Sequence, residues 1–296
     1  MENPFDACWR RFDRAEEHRK AAAAVWNDHI DDIPHHLYLD DRGGGSFVIG
    51  VREVIPTPPA MSVLLGEWLY NLRCALDYAV YAAAVWNTGE NPPPKQAQLQ
   101  FPCSFDKSHY RDNEYRLAPL TEYQRTELIE FMQPFRHPDP DTSALGWLHR
   151  LARIDRHRRL TVMTGYLAES NPMIGVPDGC AVELEFGDRV LVDGTAELAR
   201  FTVSPWEPSW EVRVDPRTGL DPEIAEWSAS PFWRRIAYNE RLRMLRVAVL
   251  SVVAPLEYDC MGYSREEDFL TAEFKAESDA HRPARPWAPT RTGLTW

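Results

Sequence analysis

The sequence predicts an α+β fold: a helical bundle with an antiparallel β-sheet packed against it. Two patterns carry the prediction. Apolar residues recur at helical spacing through much of the first half and again over 231–256, whereas from Val182 they alternate with polar residues. Length sets the scale, because 296 residues, 44% apolar and 26% charged, can bury a substantial core. The expected organisation is a mainly helical part over 1–170 that includes an early β-hairpin at about 35–54. A second part over 171–278 follows, with a β-meander and a long C-terminal helix packed on the first, and then a poorly ordered tail over 279–296.

Each element has its own local signal. Asn3-Pro4 reads as an N-cap followed by proline at the first helical position. That helix runs through about Asp31, with Cys8, Phe12, Ala15, Ala22, Trp26 and Ile30 spaced for one buried stripe. Leu37-Tyr38-Leu39 and the run 47–51 form a hairpin around Gly43-Gly44-Gly45. The glycine triplet has no P-loop lysine after it and is assigned to the hairpin tip. Pro56-Thr57-Pro58-Pro59 breaks the chain before a helix over 64–86. Asn91-Pro92-Pro93-Pro94 opens an irregular stretch to about Leu117, with a short strand at 99–101. A short helix over 121–132 stops before Pro134, and Thr142 or Ser143 caps a further helix over 143–164. Strands are expected at 182–186, 189–192, 196–203 and 210–214, with Asp193-Gly194 as a turn. Ser230 and Pro231 open the last helix, which runs to 256.

Composition narrows the function classes. There is no run of 18 apolar residues, and the first residues lack a basic and an apolar region, so neither a membrane span nor a signal peptide is expected. Five scattered cysteines without a C-x-x-C pair support neither a disulfide framework nor a cysteine metal site, which suits a reducing cytoplasm. Adjacent His35 and His36 point to opposite sides of a strand, so no metal site is assigned and no cofactor is expected. The net charge of −12 disfavours nucleic-acid binding by the whole surface but leaves room for a local basic patch. Only four of the 33 basic residues are lysine, a skew typical of GC-rich genomes. Walker, dinucleotide and serine-elbow motifs are lacking. Glu183 and Glu185 are read as the solvent side of their strand, and Trp206, Trp210, Trp227 and Trp233 as packing residues.

Two helices break the usual amphipathic pattern. On the first, Leu64, Leu65, Trp68, Leu69, Leu72, Ala75, Leu76, Ala79 and Ala83 make an apolar face. The opposite face carries Tyr70, Asn71, Arg73, Asp77, Tyr78 and Tyr81, a set better suited to partial burial than to open solvent. Arg73 and Asp77 at i,i+4 can form a register-holding salt bridge or part of a site. On the second helix Asp155 falls within the apolar arc, where a carboxylate needs a donor. Arg73 is the expected partner for Asp155, and Arg158 for Asp77, giving a network of Asn71, Arg73, Asp77, Asp155 and His157. Between His149 and Arg159 the chain carries five arginines against one aspartate. This is a solvated basic face or an anion site for phosphate, carboxylate or RNA backbone.

At these residues, Tyr70-Asn71-Leu72-Arg73-Cys74-Ala75-Leu76-Asp77-Tyr78 and Arg153-Ile154-Asp155-Arg156-His157-Arg158, the chain resembles a family of bacterial proteins without an assigned activity. The family patterns are H-N-L-R-x-A-L-D-H and N-x-D-K-H-R, and the resemblance spans mainly residues 58–160. A more remote resemblance is to HEPN domains, helical bundles that often cleave RNA without metal through an arginine and a histidine separated by four to six residues. Here Tyr78 stands in the histidine position, so the resemblance implies that His157 would have to serve beside Arg73. The catalytic candidates are therefore Arg73 and His157, with Tyr70, Asn71, Asp77, Tyr78, Arg153, Asp155 and Arg158 as ligand-binding or network residues. Three readings follow: an RNA-binding or RNA-cleaving protein, a small anionic ligand-binding module, and a non-catalytic structural protein or homodimer.

Overall fold

The computed structural model describes residues 3–158, 162–170, 172–187, 191, 193–215, 218–271 and 275–276, with residues 162–170 and 218–220 described at the backbone. In chain order the elements are α1 (Asp6–Asp31), β1 (His35–Gly43), β2 (Ser46–Glu53), α2 (Pro59–Thr88), α3 (Lys107–Asn113) and α4 (Ala144–His157). Then come β3 (Val162–Ser170), β4 (Met173–Gly175), β5 (Ala181–Phe186), β6 (Thr195–Ser204), β7 (Arg213–Asp215), β8 (Thr218–Ile224), α5 (Ala225–Ser228) and α6 (Tyr238–Met261). The fold is α+β. No helix among the described residues is long and apolar enough to cross a membrane.

Cα packing divides the chain into two compact units, each assembled from separated segments. The first comprises Met1–Arg19, Gly66–Arg158 and Leu242–Trp296, and the second Lys20–Leu65 and Arg159–Arg241.

The second unit holds the β-structure. Four antiparallel strands lie in the order β1-β2-β6-β5, so the early hairpin and the later strands do join in one sheet. Three glycines at the hairpin tip, Gly43 to Gly45, all have positive φ, a conformation that glycine adopts without steric cost. Phe47, Ile49, Val51, Phe201 and Val203 form a buried cluster on this sheet, closed by Ile174, Val176, Trp206 and Val214. Two further ribbons pair β3 with β8 and β4 with β7.

Several boundaries differ from expectation. The helix expected over 143–164 ends at His157, because Arg158 turns to extended backbone (φ −159°, ψ 146°). Val162 and Thr164 belong instead to β3, whose β-branched residues suit a strand. The strand expected at 210–214 shrinks to β7 and pairs with β4 rather than with the main sheet. The last helix starts at Tyr238, with Ser230 capping only a short turn through its contact from the Trp233 N–H (3.4 Å). No strand forms at 99–101. The predicted strand at 189–192 lies mostly outside the described residues, and the tail over 279–296 wholly so.

In the first unit α2 is enclosed on most sides. Trp68, Leu69, Leu72, Ala75, Leu76, Ala79 and Val80 are all at most 1% exposed. The first turns of α1 contribute Phe5, Cys8 and Phe12, and Cys8 Sγ donates to the Ala75 carbonyl (3.1 Å). Asn3 Oδ1 accepts from the Phe5 N–H (2.8 Å) in the turn ahead of α1, which begins at Asp6 rather than Pro4. Residues 124–130 wind as a π-helix, from which buried Gln124 reaches Asn87 and Asp259.

Candidate functional site

The site begins with the irregular segment that follows α2. Residues 99–104 have no neighbouring strand, yet side chains answer the Phe101 N–H and carbonyl, the Pro102 carbonyl and the Ser104 N–H. Asp77 Oδ1 accepts from the Phe101 N–H (2.9 Å), and Arg73 Nη2 donates to the Phe101 carbonyl (2.7 Å). Arg73 Nη1 also donates to Asp77 Oδ1 at 2.6 Å, so the i,i+4 pair and the segment form one hydrogen-bonded clasp. Gln133 completes the fixing: its Oε1 accepts from the Ser104 N–H, and its Nε2 donates to the Pro102 carbonyl (both 3.0 Å). Arg73 is nearly buried, so its charge would be costly without Asp77.

α4 forms the facing wall. Ser143 caps it, with Oγ accepting from the Gly146 N–H. Its approach to α2 is close at one point, where a Cβ placed on Gly66 would overlap the Asp155 carboxylate. Glycine at 66 is thus what lets a carboxylate occupy this position.

Between these walls lies a cleft of about 230 Å³ lined by Arg73, Gln100, His149, Ala152, Arg153, Arg156 and His157. A second compartment of about 190 Å³ shares Arg73, Gln100 and His149 and extends past Phe101 to His109, Asn113 and Arg116. No carboxylate among the described residues lines either compartment. Among the described residues, Arg116, Arg153 and Arg156 form no ion pair. Arg116 Nη1 instead donates to Gln100 Oε1. Burial, reinforced by the positive charges of Arg73, Arg153 and Arg156 and by His109, pushes the His149 imidazole down to about 4. His149 is therefore neutral near pH 7 and can offer both a donor and an acceptor.

The residues named from sequence separate into groups. Arg73, Arg153 and His157 line the cleft together. No hydrogen bond joins Arg73 to His157 among the described residues. The expected Arg73–Asp155 pair does not form: both terminal nitrogens of Arg73 go to Asp77 and Phe101, while Asp155 lies against Gly66. Asp77 likewise takes Arg73 rather than Arg158, which is exposed beyond the end of α4. Asn71 is buried but belongs to another cluster, accepting from Arg11 Nη1 (3.3 Å) and donating to the Glu67 carbonyl (2.8 Å). The Arg11 guanidinium also sits over the Tyr78 ring, 5.4 Å from its centroid. Tyr70 and Tyr78 are exposed and do not line the cleft, and Tyr81 bonds Asn91. The proposed single network of five residues is replaced by the clasp, the Arg11 cluster and the Gly66–Asp155 crossing.

Several polar lining residues escaped the sequence reading as site members, among them Gln100, His109, Asn113, Arg116, His149 and Arg156. Arg156 had a usable signal, since His149, Arg153 and Arg156 are spaced i, i+4 and i+7 on one helical face. Gln100, His109 and Arg116 lie around an aperiodic stretch, where no spacing rule brings them together. Among the described residues no group of three or more histidine, cysteine, aspartate or glutamate side chains is arranged to hold a metal ion.

Comparison of the chain with protein-family models, curated proteins and solved structures gives no match.

Proposed function

We propose that this protein binds a small anionic ligand in the cleft of α2, α4 and the 100–116 segment. The observation that carries the reading is charge. A chain of net charge −12 places Arg116, Arg153 and Arg156, with no carboxylate partner among the described residues, around one concave site beside the near-buried Arg73. Arginines that lack counter-charges at this density repel one another, and an oxyanion would relieve that repulsion while accepting bidentate hydrogen bonds. Calorimetric titration with inorganic phosphate and with sulfate tests it. Saturable binding that weakens about tenfold or more in Arg153→Ala and in Arg156→Ala is expected. Binding that is unchanged in both variants would refute the assignment.

RNA cleavage is the second reading, favoured by the shared lining position of Arg73 and His157. It asks Arg73 to face a phosphorane, whereas its terminal nitrogens already hold Asp77 and Phe101. Binding therefore leads. Cleavage of RNA that disappears in both Arg73→Lys and His157→Ala would reverse the order.

A further inference from the structure

The two compartments of the basic cleft differ in chemistry, and the difference specifies more than an anion. The inner face of the α4 compartment is cationic, through Arg153 and Arg156. The other compartment adds an apolar wall of Phe101, Pro102 and Cys103 and several amide and imidazole groups, with the Arg116 guanidinium engaged on Gln100. Those polar groups are partly committed. Gln100 Oε1 accepts from Arg116, which leaves the Nε2 donors. Asn113 Nδ2 donates to the His109 carbonyl (2.8 Å), which leaves Oδ1 as an acceptor. His109 Nδ1 meets Ser104 Oγ (3.1 Å), which leaves Nε2. The compartment thus combines an apolar wall with at least one donor and one acceptor.

Size separates two kinds of occupant. Each compartment, at about 230 and 190 Å³, is smaller than the roughly 300 Å³ at which sites for organic ligands begin. An inorganic oxyanion would fill only the first. A ligand that spans both across the shared Arg73, Gln100 and His149 has an anionic head and a planar ring with donor and acceptor edges. We propose that the ligand is a free mononucleotide, with its phosphate at Arg153 and Arg156 and its base at Gln100, Phe101 and Asn113. This rests on the reading of the cleft as an anion site. A polynucleotide fits less well, because the acidic chain as a whole repels a long phosphate backbone.

The test uses the full chain and three probes: inorganic phosphate, ribose 5-phosphate and the four ribonucleoside 5′-monophosphates, titrated calorimetrically. At least one monophosphate is expected to bind about tenfold or more tightly than phosphate and ribose 5-phosphate. In Asn113→Ala that advantage collapses, whereas Arg153→Ala weakens nucleotide and phosphate alike. Gln100→Ala is a second variant should Asn113→Ala fail to fold, and it predicts the same loss of advantage. Phosphate binding without any gain from the base overturns the nucleotide assignment and leaves the anion site standing. Failure of every probe overturns both. Tighter binding of a single-stranded RNA hexamer than of any monophosphate overturns the free-nucleotide assignment in favour of RNA.

Discussion

Arg73 and Asp77, one turn apart on α2, hold Phe101 by both of its backbone polar groups. The Phe101 N–H and C=O therefore have partners without a neighbouring strand, and the wall of the cleft is fixed by side chains alone. Arg73→Ala removes the carbonyl's donor and leaves Asp77 without its cation. Hydrogen bonds to charged groups of this kind contribute about 1.5–3 kcal/mol, so a loss of about 2 kcal/mol is expected. Arg73→Lys should fall between, because one ammonium cannot reproduce the forked geometry. Urea unfolding of the two variants beside wild type measures both, and equal stability of all three would remove the clasp from the account.

That clasp also explains what was legible in the sequence. The Arg73–Asp77 pair follows from helical spacing, and the pair is present. Its use was hidden, because Phe101 lies 24 residues beyond Asp77 in an aperiodic segment. The same limit governs Asp155. Its position in an apolar arc is readable, but its close approach to Gly66 is not, because no spacing rule relates the two helices. Period-two alternation located β5 and β6; β6 buries one face as that pattern implies, whereas the apolar residues of β5 stay exposed. The expected helix over 143–164 takes in the first three residues of β3, and nothing in the composition marks the break at Arg158.

The Gly66–Asp155 crossing makes a separate prediction. Gly66→Ala places a methyl where the carboxylate lies, and the displacement of Asp155 should cancel the roughly 1 kcal/mol that alanine gains over glycine in a helix. Shortening the opposing side chain should relieve it. In thermal unfolding the Gly66→Ala/Asp155→Ala double variant is expected to lose less than the sum of the single losses. Strict additivity would mean that the two positions do not meet.

In the second unit, Glu223 and Arg241 form an ion pair at 2.5 Å with both side chains fully buried. Burial raises the Glu223 carboxyl, and the hydrogen bond and charge of Arg241 oppose that rise. Glu223→Ala removes one partner of Arg241, whose Nε donates to the Ile236 carbonyl (2.7 Å) and whose guanidinium lies 5.3 Å from the Trp227 ring centroid. Breaking one side of a buried pair costs about 3–5 kcal/mol. Denaturant titration should show that loss, and a Glu223→Ala protein within about 1 kcal/mol of wild type would contradict it.

His149 gives the protein a pH signature. Its folded value, near 4, lies below the ordinary histidine value of 6.5. The contribution is complete above pH 6.5, where the folded and unfolded chains both carry neutral imidazole. As pH falls from 6.5 towards 4, the unfolded chain takes up a proton that the folded chain does not, and stability is lost. His149→Gln should lose less stability over that window than wild type, as melting temperatures at pH 7, 5.5 and 4.5 would show. An identical pH dependence in the two proteins would mean that the imidazole is not held neutral by its surroundings.

The most direct test of the anion site reads the imidazoles that line it. In a phosphate titration followed by proton NMR, the ring signals of His149 and His157 should shift saturably together. The His149 midpoint should also rise, because an anion offsets the arginine charges that hold it down. Exposed His137, outside the cleft lining, should stay in place. Shifts of equal size at all three histidines, or none at His149 and His157, would contradict the account.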